Sequence, residues 1–371
     1  MFDDRYVPAL DGAAEARRHA STVLMFAGLA AGDAYADSAQ RIGEISQTSL
    51  AITEGALRAY VRFRNGKQPV LQAQLLLALL RWGAGQGLEL REEAASGARA
   101  VGWLGRQPAM RRKRPRGNTT RAALVAVANV EQLEATNGSK GSACLPRAAA
   151  CSMLYPGGSA LQGTWEAGAE SAAITHGHPV AHVAAGVFAT TLRLVREGAD
   201  PTGAAFRALE VAPGQNAVEA EAAITEVAAA LQRAADRSSG GGRYDSVAQF
   251  GSWSGRTAEE ALAIAVWAVQ RGGSLSDVLR RATNHAGERH ATGAAAGALW
   301  GALAGRDHAE RAVHMTAFDA PAPHPLDELP EDLRPRSDEM ALVETVAEDA
   351  VRILRTGSAI EHADRVRWPG W

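Results

Sequence analysis

The sequence predicts an all-α protein organised around one large helical domain, and three observations predict it. The 371 residues are 46% apolar, much of that alanine, with 38 glycines and only 5% aromatic residues. Alanine-rich, aromatic-poor chains without long β-branched runs favour closely packed helices over a β-sandwich. Apolar residues also recur at helical spacing in segment after segment, and many of those segments stop at glycine or Asn-Gly. No repeat of fixed period is present, which disfavours a solenoid. The length is sufficient for a sizeable core.

The elements follow in order. Ala14 to Ala31 is alanine-rich and is expected to end at Gly32. Thr48 to Arg64 carries Leu50, Leu57 and Val61 at helical spacing and stops at Asn65-Gly66. Gln72 to Trp82 is leucine-dense and reads as a buried helix, and Glu92 to Leu104 as a further one. Gln107 to Gly117, with five basic residues and prolines at 108 and 115, reads as a loop. Asn118-Thr119-Thr120 supplies capping residues for a helix over Arg121 to Val130. A polar loop, Ala135 to Ser142, precedes a helix over Pro146 to Leu154. Thr164 to Ile174 and Val180 to Arg196 flank the segment Ile174-Thr175-His176-Gly177-His178-Pro179, whose histidines are expected to be exposed by a loop. Ala217 to Asp236 is long and ends before the glycine run 240–242. Thr257 to Gln270 opens with Thr-Ala-Glu-Glu, a capping pattern. Ser276 to Ala282 and Thr292 to Leu303 complete the main domain, placed at 1–319. A proline- and acid-rich linker or surface wrap is expected over 320–338. A final amphipathic helix, Met340 to Leu354, packs on the domain within a C-terminal unit 339–371.

Charge and composition narrow the partners. A net charge of −2 and a pI near 6.6 give no electrostatic ground for nucleic acid. No apolar run reaches the roughly 18 to 20 residues that span a bilayer. Cys144 and Cys151 are the two cysteines, too few for a disulfide framework, so a reducing cytoplasmic home is the simplest expectation. The opening MFDDRYVPALDG is acidic and proline-broken, unlike a signal peptide. Neither cysteine has a histidine or acid at motif spacing, so nucleophilic catalysis has no support.

The segment Asn284 to Gly301, NHAGERHATGAAAGALWG, is the most informative in the chain. Asn284, Gly287, Thr292, Gly293, Gly297 and Gly301 form a frame of small residues that permits a tight turn and a closely packed helix. With it stand Gly32-Asp33-Ala34, Arg116-Gly117-Asn118-Thr119, Ser139-Lys140-Gly141-Ser142-Ala143 leading to Arg147, the ITHGHP segment, and Tyr244-Asp245 with Gln249-Phe250-Gly251. Six such pieces in this order resemble the ADP-ribosylglycohydrolase family, which includes dinitrogenase reductase-activating glycohydrolase, and the likeness runs over most of the chain.

The resemblance implies an all-helical fold and metal-assisted cleavage of an ADP-ribosyl glycosidic bond. The family holds two Mg2+ or Mn2+ ions with a Thr/Ser-Asp-Asp-Thr motif near the start and an Asp-x-Asp-Ser/Thr motif near the end. Aligned through Leu50 and Ala51, the first reads Ile45-Ser46-Gln47-Thr48 here. The aspartates of the second correspond to Glu288 and His290, with Arg289 between them and Ala291 at the serine. Hard divalent ions depend on carboxylate number, so no metal cofactor is expected; Mg2+ or Mn2+ enters only if the site is partly retained. Glu288 and His290 are the alternative metal ligands, one short of the three that protein zinc sites usually need. The bland reading is a salt-bridged Glu288-Arg289-His290 loop that fills the space.

Catalytic candidates are limited to Glu44, Glu288 and His290. Ligand-binding candidates carried over from the resemblance are Asp33, Ser46, Gln47, Thr48, Gly117, Asn118, Thr119, Gly141, Ser142, His176, Arg289 and Thr292. Asp33 reads equally as a helix cap and His178 as a local cap. Five charges between Arg111 and Arg116 match phosphate chemistry but are more often a solvated run. The expected partner is a small molecule such as ADP-ribose or a nucleotide, or an ADP-ribosylated protein. Three functions remain open: a pseudoenzyme that binds such a ligand, a hydrolase or lyase with altered or absent metal dependence, and a helical interaction protein without a ligand.

Overall fold

In the computed structural model the chain is described over residues 12–37, 40–99, 101–113, 118–154, 161–212, 218–238, 247–250, 253–316, 323–354 and 360–370. Helices in the first half are α1 (Gly12–Tyr35), α2 (Glu44–Arg64), α3 (Leu71–Gly85), α4 (Glu92–Ala98), α5 (Pro108–Arg111), α6 (Asn118–Ala126) and α7 (Leu161–Ala173). The second half adds α8 (Pro179–Arg196), α9 (Pro201–Glu210), α10 (Val218–Ser238), α11 (Ala258–Gln270), α12 (Leu275–Thr283), α13 (Arg289–Thr316), α14 (Ser337–Ile353) and α15 (His362–Arg367). The described residues contain no β-strand; a short antiparallel backbone pairing joins 140–142 to 256–258. The fold is all-α, as composition and periodicity predict.

Two helices from opposite ends of the chain form the central seam. α1 and α13 lie against each other along their length, and glycine makes the approach possible. A Cβ built on Gly297 would lie 2.0 Å from the carbonyl oxygen of Gly28, and one on Gly28 would lie 2.1 Å from that of Gly297. The small-residue frame of the 284–301 segment is therefore a packing device. Around the seam α8 and α11 are nearly all buried, with Phe188 and Trp267 inside. α2 runs beside α3, and α14 packs on α1 and α2.

The structure adjusts several sequence expectations. α1 continues through Gly32 to Tyr35, because Gly32 faces Gly293 and its flexibility serves packing rather than termination. α2 begins at Glu44, so Ile45 to Thr48 lie within its first turns. Residues 146–153 form a 3-10 helix, and α9 and α15 arise where no helix is expected from the sequence. Thr257 is the N-cap of α11, yet its hydroxyl makes no capping bond; Glu260 instead accepts from the Ser254 amide at 3.2 Å. α12 has the capping box, through Ser274 and Asp277. Within the acidic stretch, Pro325–Glu328 and Glu331–Leu333 form 3-10 turns, and Leu326, Leu329 and Leu333 are buried. Gly117, the basic residues 114 and 116, Tyr244, Asp245 and Gly251 lie outside the described residues.

Candidate functional site

The end of α1 and the starts of α2 and α13 converge on Asp33, which is 1% exposed. Its Oδ2 accepts from the Gly43 amide at 2.8 Å, the Ser46 amide at 2.8 Å and the Ser46 hydroxyl at 2.6 Å. These bonds satisfy donors at the α2 N-terminus, as a capping carboxylate does. On its other side Oδ1 is 2.9 Å from His290 Nδ1, while His290 Nε2 is 3.2 Å from Asp37 Oδ1. The imidazole therefore stands between two carboxylates. Both ring nitrogens thus face acceptors.

The residues of the Ile45-Ser46-Gln47-Thr48 segment are committed elsewhere. Ser46 is bound to Asp33. Gln47 donates to the Ala109 carbonyl at 2.7 Å and the Arg112 carbonyl at 3.1 Å, and accepts from Trp82 Nε1 at 3.2 Å. Thr48 Oγ1 returns to the helix backbone at Glu44 and Ile45. These side chains do not fit a dinuclear hard-ion site: Ser46, Gln47 and Thr48 are neutral and hydrogen-bonded within the fold, and the ring of His290 stands between Asp33 and Asp37. Among the described residues no group of three or more His, Cys, Asp or Glu side chains could hold a metal ion.

Beside this closed corner lies a second polar cluster. Glu44, the first residue of α2, pairs with Arg121 (Nε to Oε2, 3.2 Å). Burial raises its carboxyl to about 7; Arg121 opposes the shift and the nearby Asp33 charge adds to it. Arg121 in turn lies over the Trp82 ring at 5.8 Å. Deeper in, Arg147 is fully buried and its Nη2 donates to Thr175 Oγ1. Thr175 Oγ1 is 2.8 Å from His176 Nδ1. Because a guanidinium only donates, Thr175 Oγ1 is the acceptor of the Arg147 bond. Burial, with the Arg147 charge and His182 adding, holds His176 well below the usual histidine range, so it is neutral at physiological pH.

Several atoms of this cluster are buried without a hydrogen-bond partner among the described residues: Arg147 Nε and Nη1, His176 Nε2 and Ser142 Oγ. Gly141 is the close neighbour, since a Cβ there would sit 3.3 Å from His176 Nε2. The loop that carries Gly141 and Ser142 is anchored by Lys140, which pairs with Glu226 of α10 and, at 2.8 Å, with Glu259 of α11. Thr119 Oγ1 is 3.4 Å from Ser139 Oγ, so the start of α6 joins the same loop; Asn118 beside it is exposed.

The remaining sequence candidates separate. His176 is 0% exposed, not displayed by a loop; the turn is pulled inward by Asn137, which donates to the Thr175 carbonyl at 2.9 Å. His178 caps α8, accepting from the Val180 amide at 3.2 Å. Glu288, Arg289 and His290 do not form one salt-bridged loop: His290 turns inward, Arg289 is exposed at the start of α13, and Glu288 is half-buried. The Thr292 hydroxyl is 3.1 Å from His285 Nε2 and close to the Glu288 and Arg289 carbonyls. Cys144 and Cys151 are buried, and burial pushes their thiols up to about 11 and about 12. Asp37, Arg121 and Thr175 are the members the sequence did not single out. Asp37 lies four residues after Asp33 in the opening turn and was the most findable.

Comparisons with known proteins agree with this architecture. The sequence profile of the ADP-ribosylglycohydrolase family matches residues 15–339. A solved structure described as an ADP-ribosylglycohydrolase-related protein complex superposes with a TM-score of 0.56 at 19% identity. That match covers 91% of this chain and 99% of the other, a likeness of fold. No curated protein matches the chain. The chain belongs to the ADP-ribosylglycohydrolase family.

Proposed function

We propose that this protein binds an ADP-ribosyl-type anion, either ADP-ribose, a nucleotide or the ADP-ribosyl group of a modified protein, and does not process it with a metal pair. One observation carries the reading: Arg147, His176 and Ser142 hold buried polar atoms, two guanidinium nitrogens among them, with no partner among the described residues, beside Glu44, whose carboxyl tends toward neutrality. Buried donors of this kind favour an oxyanion, and a guanidinium matches phosphate. The corner that a metal pair would need is meanwhile closed by Asp33, Ser46 and His290.

Calorimetry with ADP-ribose, AMP and ribose tests the proposal. ADP-ribose and AMP should bind and ribose should not, and Arg147→Met should abolish binding while the far-ultraviolet circular dichroism stays helical. Equal binding of ribose, or none of any ligand, overturns it. A second reading rests on Glu44, whose carboxyl near pH 7 suits general acid-base work without a metal. It requires release of ADP-ribose from arginine- or serine-modified protein at equal rate with chelator and with Mg2+, and loss of that release in Glu44→Gln.

A further inference from the structure

Beneath the candidate site, α2 and α3 bury a charge that their own side chains do not balance. Glu54 and Arg58 lie one turn apart on α2 and Arg81 faces them from α3; their side chains are 4%, 2% and 7% exposed. Glu54 Oε1 is 2.8 Å from Arg58 Nη2 and 3.4 Å from Arg81 Nε. Among the described residues no other carboxylate comes within ion-pair distance of either guanidinium. Two cations therefore share one anion, and Nε and Nη2 of both arginines lack a hydrogen bond of good geometry. A buried, uncompensated charge is among the most expensive features a protein interior can carry. Burial, together with repulsion from Arg58, lowers Arg81 to about 10 against the pull of Glu54, which still leaves it charged at neutral pH.

The same place has room. A cavity of about 20 Å³ is lined by Glu54, Arg81, Trp82, Gly102, Leu104 and Met110. A space of roughly 10–15 Å³ measured this way already holds one water molecule. The backbone closes over the cations at Gly102, where a Cβ would fall 2.2 Å from Arg58 Nη2. Arg58 Nη1 reaches the Pro369 carbonyl, a neutral acceptor that leaves the charge balance unchanged.

We propose that this cavity is a binding site for one small monovalent anion, of the size and chemistry of chloride, held by Arg81, which lines it, with Arg58 Nη2 against the Gly102 wall. The ion neutralises the cluster and ties α2 and α3 to segment 101–112. That segment supplies the Ala109 and Arg112 carbonyls that fix Gln47, and the Met110 carbonyl that accepts from Gln86 at 2.8 Å. Trp82 belongs both to the cavity wall and to the Gln47 bond, so the anion supports the floor of the candidate site from one layer below.

The test uses the full chain in two salts at matched ionic strength, sodium chloride and sodium gluconate. Tm should rise with chloride concentration and exceed that in gluconate; over the saturating range, a tenfold rise in chloride changes the folded-to-unfolded ratio by up to about tenfold. Arg81→Met removes the surplus charge, and its Tm should no longer distinguish the salts beyond general salt effects. If that variant fails to fold, wild-type crystals soaked in sodium bromide decide the matter: an anomalous peak beside Arg81 and Arg58 supports the site. Equal Tm in both salts, or bromide peaks only elsewhere, overturns it.

Discussion

Replacing Glu44 by glutamine isolates the energetic cost of the buried acid at the start of α2. In the folded protein its carboxyl is raised from an ordinary 4.5 to about 7. The folded state therefore keeps a proton that the unfolded chain releases. The sign follows: the acid costs nothing below pH 4.5, and stability falls as pH rises through 7, where the folded state must ionise. The full shift, in which the opposing pull of Arg121 is already included, corresponds to about 3 kcal/mol. Glu44→Gln keeps the shape and cannot ionise, so it should be near neutral at pH 5 and stabilising by about 1–3 kcal/mol at pH 8. Glu170, on α7, is likewise pushed up to about 7 by burial and by neighbouring Glu166, and should add a parallel slope to both proteins that cancels in their difference. Urea unfolding at pH 5, 6, 7 and 8 measures the effect. A wild-type minus variant difference that stays flat across this range refutes the buried-acid account of Glu44.

Three further perturbations follow from the geometry. Gly297→Ala places a Cβ 2.0 Å from the Gly28 carbonyl oxygen and should cost about 2–4 kcal/mol in urea unfolding, whereas Gly12→Ala, with nothing within 4 Å, should be nearly neutral; equal effects would contradict the seam. His290→Ala leaves Asp33 buried beside Asp37 without the ring between them and should cost about 2–4 kcal/mol; in a double-mutant cycle with Asp33→Asn the coupling should be at least about 1 kcal/mol, and additivity would refute the clamp. Chelation with EDTA should leave Tm unchanged and purified protein should retain no stoichiometric divalent ion, while one tightly held equivalent would reopen the metal reading.

Much of the fold was legible because the glycine frame and the helical periodicity are local signals. Gly293 and Gly297 announce close packing, although the sequence does not say against what; the partner, α1, lies near the other end of the chain. Breaks were less legible. Gly32 reads as a stop by propensity, but tertiary contact with Gly293 overrides it, and Thr257 reads as a capping residue while Glu260 is drawn to the Ser254 amide. At the site, the neutral character of Ser46 and Gln47 was visible in the sequence. Their partners in the fold were not. His290 could be weighed only as a ligand or as loop filler, because its role depends on Asp33 and Asp37, more than two hundred and fifty residues away. The inward turn of His176 was equally hidden, since Asn137 and Thr175 create it through backbone bonds that no side-chain pattern reveals.

The α1–α13 seam also sets an order of events during synthesis. Asp33 caps α2 early in the chain, but its partner His290 and the glycines facing Gly28 and Gly32 leave the ribosome only after most of the protein has been made. Until then α1 has a row of glycine-exposed backbone with nothing to cover it. Contacts of such long sequence separation form late and slowly, so the nascent chain carries an open flank through most of its translation. A truncation before residue 289 is thus expected to accumulate as an aggregation-prone intermediate rather than as a smaller folded domain, even though every helix of α2 through α12 is encoded within it.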